Sequence, residues 1–282
     1  MMNRMKWRNV LTQVKEQKAA IAAIILLAVF ALAAIFAFLV PYDPNKIVVT
    51  ERLLPPSAAH WFGTDDYGRD YLARALYGGR VSLSVGFLAM AIAVIVGTAV
   101  GTVSGYFGGW IDNVLMRIVD ILMSIPSFFL MLILNAYLKP GITTIILIIG
   151  MLSWMNIARI VRAETLSVKE REYVLYARVS GQNTLAIILK HIVPNIMSTI
   201  IVAATINIAS AILMESSLSF LGLGIQQPNS SWGSMLNNAQ GFIGEAAYLA
   251  LFPGLFILLT VLSFNVLGDV FRVAFEPKAN KR

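Results

Sequence analysis

Apolar residues in this chain come in long unbroken runs rather than in alternation. Residues 19–40 carry no charge over 22 positions, and a helix needs about 20 apolar residues to cross a bilayer core. Five further runs follow, at 81–105, 114–138, 142–161, 196–221 and 247–268. The pattern predicts an all-α membrane protein with six transmembrane helices. A signal peptide is the competing reading of the first run. That run is longer than the roughly 7–15 residues of a signal h-region, and no A-x-A-like cleavage site follows it, so it reads as a retained helix.

Several residues mark the spans individually. Arg117 and Asp120 lie three apart in the third run, share a face and are expected to pair. Pro126 is expected to kink that helix, and Pro140-Gly141 to make the turn into the fourth. Gly97, Gly101 and Gly105 recur every four residues in the second run, with Ala89 and Ala93 extending the stripe. Small residues on one face let helix backbones approach closely, in this chain or against another. Glu215 lies inside the fifth run without a basic neighbour in sequence, so it is a functional candidate by default. Structural hydrogen bonding or pore polarity leads over ion coupling, because Glu215 stands near the end of its span.

Composition agrees with this picture. Hydrophobic residues make up 58% of the 282 and charged residues 13%, against about 25% charged in soluble domains. A water-soluble fold and intrinsic disorder are both disfavoured. With no cysteine and only His60 and His191, a disulfide framework, a thiolate site and a multi-histidine metal centre are excluded, so no metal site is assigned. The net charge of +7 reads as basic loops against an anionic membrane face rather than as nucleic-acid binding.

Six spans leave both termini on one side, and lysine and arginine set which side. The 1–18 tail carries Arg4, Lys6, Arg8, Lys15 and Lys18. The 162–195 segment and its approach carry Arg159, Arg162, Lys169, Arg171, Arg178 and Lys190. The 270–282 tail adds Arg272, Lys278, Lys281 and Arg282, and Arg117 lies by the second loop. These sixteen of the 22 basic residues define the cytoplasmic side, with both termini there.

The 162–195 segment is too long for a turn. Ser167-x-x-Glu170 reads as a capping box that opens a helix, and Gly181 suits the left-handed position that closes it. Leu185, Ile188, Leu189 and Ile192 give a second helix an apolar face, and Pro194 marks entry to the fifth span. The expected product is a helix–Gly–helix hairpin in the cytoplasm. It would dock on a soluble partner through Val174 and Ala177, with Tyr173 and Tyr176 beside them. Glu172, Arg171 and Arg178 would set orientation. A loop that merely covers the bundle is the plainer alternative.

On the other side, the 41–80 segment is expected to form a short interfacial helix before the second span, with Tyr67, Tyr71, Ala75 and Leu76 on its apolar face and Asp70 paired to Arg74. The charges of Asp65-Asp-Tyr-Gly68-Arg69-Asp70 read as fixing this elbow rather than binding substrate. His60 and Trp232 read as residues of the membrane interface.

The cytoplasmic segment resembles the signature loop of permease subunits of bacterial ABC importers, Glu-Ala-Ala, three residues, Gly, then Ile-x-Leu-Pro. Ala177, Gly181 and Pro194 match, while the Glu, first Ala and Ile positions differ. The wider run Glu172-Tyr173-Val, Ala177-Arg178, Gly181, His191-Ile-Val-Pro194-Asn195 is more similar to the peptide and nickel branch of that family. So are Phe62-Gly63-Thr64-Asp65-Asp-Tyr-Gly68-Arg69-Asp70 and Glu215-Ser-Ser-Leu-Ser-Phe-Leu-Gly-Leu-Gly224, in the expected order. The resemblance implies the type I importer permease fold, with a five-helix core over 81–269 and a coupling-helix hairpin. It also implies pairing with a second homologous permease (a heterodimer), two cytoplasmic ABC ATPases and an extracytoplasmic solute-binding protein in the bacterial inner membrane. The expected cargo is short peptides, with nickel or a metal chelate as the alternative. No G-x-x-x-x-G-K-[ST] phosphate cradle occurs, so the chain is not expected to be an enzyme or to bind a cofactor; ATP and magnesium would be used by partner subunits. An ion-coupled secondary transporter built on Glu215 and an intramembrane serine protease are the readings from other classes. The protease lacks a histidine within any span.

Overall fold

The computed structural model describes residues 10–275. The tail residues Arg4, Lys6, Arg8, Lys278, Lys281 and Arg282 lie outside them. The helices are α1 (Lys18–Ile35), α2 (Tyr71–Phe107), α3 (Gly109–Met123), α4 (Ser127–Tyr137), α5 (Ile142–Lys169), α6 (Glu172–Val179), α7 (Thr184–Ile187), α8 (Val193–Phe220), α9 (Trp232–Ala239) and α10 (Tyr248–Phe275). A π-helical turn, Ile188–Ile192, joins α7 to α8. Five of these segments are long and apolar enough to cross a membrane, and α3 with α4 makes a sixth if their 76° break lies within one span.

The glycine stripe finds its partner within the chain. A Cβ on Gly97 would lie 2.7 Å from the Trp154 carbonyl oxygen, one on Gly101 2.5 Å from that of Ala158, and one on Gly105 2.7 Å from Thr165 Cβ. Gly150 on α5 returns the favour, its missing Cβ leaving room for Ile92 of α2. Lipid tails are as apolar as leucine, so close backbone approach and the dispersion it allows hold the α2–α5 pair together. Around this pair, α8 packs on α2 and α5, α10 on α8, and α1 on α10 and α2.

Several expected boundaries move. The second span begins at Tyr71 rather than 81, because Asp70 caps it by accepting from Ala73 N at 2.7 Å. No separate interfacial helix precedes it; Tyr71 and Ala75 belong to the buried first turns of the span itself. The third apolar run is two helices bent by 76° rather than one kinked helix, and Pro126 precedes the second. Arg117 and Asp120 do not pair; Asp120 reaches Arg159 on α5 instead. The fourth span runs on to Lys169, so Ser167 lies inside a helix and the capping box does not form. Continuation is favoured because Thr165 and Val168 remain buried. Trp232 is no surface anchor either. It is 3% exposed, donates its indole N–H to Ala75 O at 3.0 Å and stacks on Phe256 at 5.6 Å.

Candidate functional site

The loop between α5 and α8 is built as two arms around Gly181. The first arm, α6, ends in a Schellman motif: Gln182 N donates to Ala177 O at 3.2 Å and Gly181 N to Arg178 O at 3.1 Å. Gly181 has φ +74°, and nothing lies within 4 Å of where a Cβ would stand. Backbone geometry, not space, therefore selects glycine here. Glu172 opens the helix and Arg178 lies in its last turn, each at the terminus where its charge is favourable. The second arm is not a separate helix. It passes through the π-helical turn directly into α8, with Pro194 in the first turn of α8. A proline donates no backbone hydrogen bond, and a π turn is one way a helix absorbs that loss. Asn195 Nδ2 donates to His191 O at 2.7 Å within the second arm, and His191 Nε2 meets Gln182 Oε1 at 3.0 Å, tying that arm to the turn after Gly181.

The face of α6 turned to the outside is not the expected one. Val174 and Ala177 are both 2% exposed and pack into a cluster with Val161, Val168, Ile187, Ile192 and Ile196. Tyr173, Tyr176 and Val179 are 42%, 76% and 88% exposed. They recur at i, i+3 and i+6, one outward stripe. On the second arm Ile188 and Ile192 are buried as expected, whereas Leu185 and Leu189 are exposed. The inward row there is Ile188, Ile192, Ile196 and Ile200, set by the underlying helices. The hairpin is thus rooted in the bundle by one apolar face and offers a second, aromatic one outward.

A bidentate ion pair braces its base. Arg162 on α5 grips Asp112 on α3, with Nη2 to Oδ2 at 2.6 Å, and Ser104 on α2 donates to the same carboxylate. These partners are 50 residues apart, so no local spacing pointed to them.

On the opposite side the elbow residues form a closed network. Thr64 and Asp70 pair as an antiparallel bridge. Asp65 accepts from the backbone N–H groups of Tyr67 and Arg69 at 2.9 and 3.0 Å. Its other oxygen meets Arg69 Nε at 2.6 Å and Arg74 Nε at 3.4 Å. The expected Asp70–Arg74 pair is therefore not made. Asp70 caps α2 with one oxygen and meets His60 Nδ1 at 2.8 Å with the other. His60 is 8% exposed, a buried partner rather than a residue of the membrane interface. Gly63 and Gly68 have φ +75° and +73°. A Cβ on Gly68 would fall 1.8 Å from Val48 O, where Val48 N bonds Tyr67 O. Asp66, half-buried beside this cluster, has its carboxyl held above the ordinary carboxylate range, by loss of solvent first and by the Asp65 charge second.

Glu215 is fully buried on α8. It accepts hydrogen bonds from Ser219 Oγ at 2.7 Å and Ser82 Oγ at 3.0 Å, the latter from α2. Ser82 in turn accepts from Trp232 N at 3.2 Å, the first residue of α9. One carboxylate thus joins two spans and the segment between α8 and α10. Among the described residues no cluster of three or more His, Cys, Asp or Glu has metal-binding geometry.

The comparisons with known proteins agree along the chain. Residues 97–281 match the family model described as binding-protein-dependent transport system inner membrane component, and residues 6–56 match the N-terminal TM domain of oligopeptide transport permease C. A dipeptide transport system permease protein of Bacillus subtilis is 44% identical over 98% of this chain and 85% of its own. That of Alkalihalophilus pseudofirmus is 42% identical over 96% and 90%, and the oligopeptide transport system permease protein of Escherichia coli K12 is 41% identical over 96% and 91%. An inward-facing structure of the MetNI methionine ABC transporter matches with TM-score 0.58 and 19% identity, over 70% of this chain and 94% of that one. At that identity the likeness shows the fold.

Proposed function

The chain belongs to the binding-protein-dependent transport system inner membrane components, and on that premise we propose that it is the permease subunit of an ATP-binding-cassette importer that carries short peptides into the cell. The observation that carries the cargo is near full-length similarity to permeases named for dipeptide and oligopeptide transport. The relatives are transport permease subunits, so the chain is read as a channel-forming part and not as an enzyme.

In this reading the termini and the α6 hairpin lie in the cytoplasm, on the side rich in lysine and arginine. The stripe Tyr173, Tyr176 and Val179 seats in a cytoplasmic ATPase, and Glu172 and Arg178 orient it. Gly181, His191, Pro194 and Asn195 hold the hairpin in shape. An aromatic anchor on a short rigid helix suits docking in a groove. Because the second arm is continuous with α8, ATP-driven displacement of the hairpin is passed straight to a membrane span. A second, homologous permease completes the path, and a solute-binding protein delivers peptide from outside. The elbow residues Gly63, Thr64, Asp65, Gly68, Arg69 and Asp70 fix the outer end of α2, and Glu215 fixes the junction of α2, α8 and α9.

Uptake of a labelled dipeptide, a longer peptide and nickel, in cells with the gene deleted and restored, tests the cargo. Loss and recovery of peptide uptake is the expected result. Peptide uptake unchanged by the deletion, or loss of nickel uptake alone, would overturn it.

A further inference from the structure

At the cytoplasmic end of the bundle a half-open cavity of about 320 Å³ lies between α5, α8 and α10. Its walls are apolar at Ile160, Val202 and Ile206, and polar at Ser198, Thr199 and Arg272. Arg272 is exposed, and among the described residues neither it nor the two hydroxyls makes a side-chain hydrogen bond or ion pair. Among the described residues this guanidinium has no carboxylate partner, and beside two hydroxyls and an apolar wall it has the chemistry of a site for an anion carrying a hydrocarbon tail.

The face on which Arg272 stands says where that anion comes from. Leu251, Leu255, Leu258 and Leu262 form an exposed ladder down α10. The same i, i+3/i+4 register continues through Asn265 and Asp269 to Arg272, all exposed. Arg272 stands 21 positions beyond Leu251, about 32 Å of helix at 1.5 Å per residue, close to the roughly 30 Å of a bilayer's hydrocarbon core. The leucines therefore face acyl chains and the guanidinium arrives at the headgroup level of the inner leaflet, whose surface is anionic. Asp269 stands one turn back on the stripe and is not among the cavity's lining residues.

We propose that this cavity binds an anionic phospholipid of the inner leaflet, with the phosphate on Arg272, Ser198 and Thr199 and an acyl chain along Ile160, Val202 and Ile206. Bound there, the lipid bridges α5 and α8, the two spans that carry the α6 hairpin. The site is independent of which solute is carried.

The test uses the intact transporter complex, purified and placed in nanodiscs of phosphatidylcholine with or without phosphatidylglycerol. Phosphatidylglycerol retained through delipidation is measured by native mass spectrometry for wild type, Arg272→Gln, Arg272→Lys and Val202→Trp, the last filling the apolar wall. Retention should fall several-fold in Arg272→Gln and Val202→Trp and persist in Arg272→Lys. Equal retention in the wild type and all three variants would overturn the proposal. The chain has no cysteine, so Ser198→Cys gives a single labelling site in this subunit, read on its own band. Protection of that thiol by phosphatidylglycerol is expected. Protection by peptide substrate alone, or crosslinking to another subunit, would place a different occupant in the cavity and contradict the proposal.

Discussion

Ser82 on α2 donates a hydrogen bond of 3.0 Å to Glu215 on α8, and both side chains are fully buried. This contact, continued to Ser219 and to the backbone of Trp232, makes the carboxylate a structural junction rather than an isolated ion site. Glu215→Gln keeps a carbonyl oxygen for the serine hydroxyls and should leave peptide uptake near wild type. Glu215→Leu strands those hydroxyls, each at a cost of about 1–3 kcal/mol, and should lower the thermal stability of the purified complex. Thermal unfolding and uptake measured on both variants check this. An ion-coupling role would instead make Glu215→Gln inactive while still stable.

The α2–α5 seam tolerates no side chain at Gly101, where a Cβ would stand 2.5 Å from Ala158 O. Gly101→Val should destabilise the bundle by roughly 1–3 kcal/mol, the usual range for overpacking, and reduce the yield of folded protein in size-exclusion chromatography. Gly244→Ala, with nothing within 4 Å of the added atom, should be silent in the same measurement.

Gly181 and Gly68 are both left-handed but should fail differently. At Gly181 the space is open, so Gly181→Asn, which tolerates this region, should keep activity. Gly181→Val should lose about 1–2 kcal/mol of local backbone stability, with membrane insertion intact and less ATPase co-purified. At Gly68 even Ala meets Val48 O at 1.8 Å, so Gly68→Ala should disrupt the elbow itself. Pull-down of the ATPase beside limited proteolysis from the outer side separates the two outcomes.

Asp66 titrates above the ordinary carboxylate range because of burial and the neighbouring Asp65 charge. The folded state thus holds the Asp66 proton more firmly than the unfolded state. Its contribution to stability grows as pH falls through the raised value and is absent at neutral pH, where the charge opposes folding. Asp66→Asn should therefore melt higher than wild type at neutral pH, with the gap closing as the pH approaches about 4, the ordinary carboxyl range. Thermal unfolding across pH checks the sign.

The six apolar runs were legible because length and hydropathy are properties of the chain alone, and the Gly97–Gly101–Gly105 stripe announced close packing before its partner was known. The left-handed turn at Gly181 was legible too, since that conformation nearly demands glycine. What failed were inferences that needed a neighbour. Asp70 and Arg74 have helical pair spacing, but Asp70 is taken by the cap of α2 and by His60 while Arg74 goes to Asp65. Ser167 and Glu170 have capping-box spacing, yet contacts at Thr165 and Val168 carry α5 past them. Which side of α6 faces outward was invisible for the same reason. Val174 and Ala177 look like a docking face until the isoleucines of the second arm are seen to cover them.

That reversal of the α6 face gives the most direct test of the account. A photo-crosslinking amino acid is placed singly at Tyr176, Val179 or Val174, in cells that are importing peptide, and adducts are identified. Positions 176 and 179 should join the chain to the cytoplasmic ATPase, while 174 should crosslink only within the permease. Absence of any ATPase adduct from 176 and 179, or a stronger one from 174, would contradict the account.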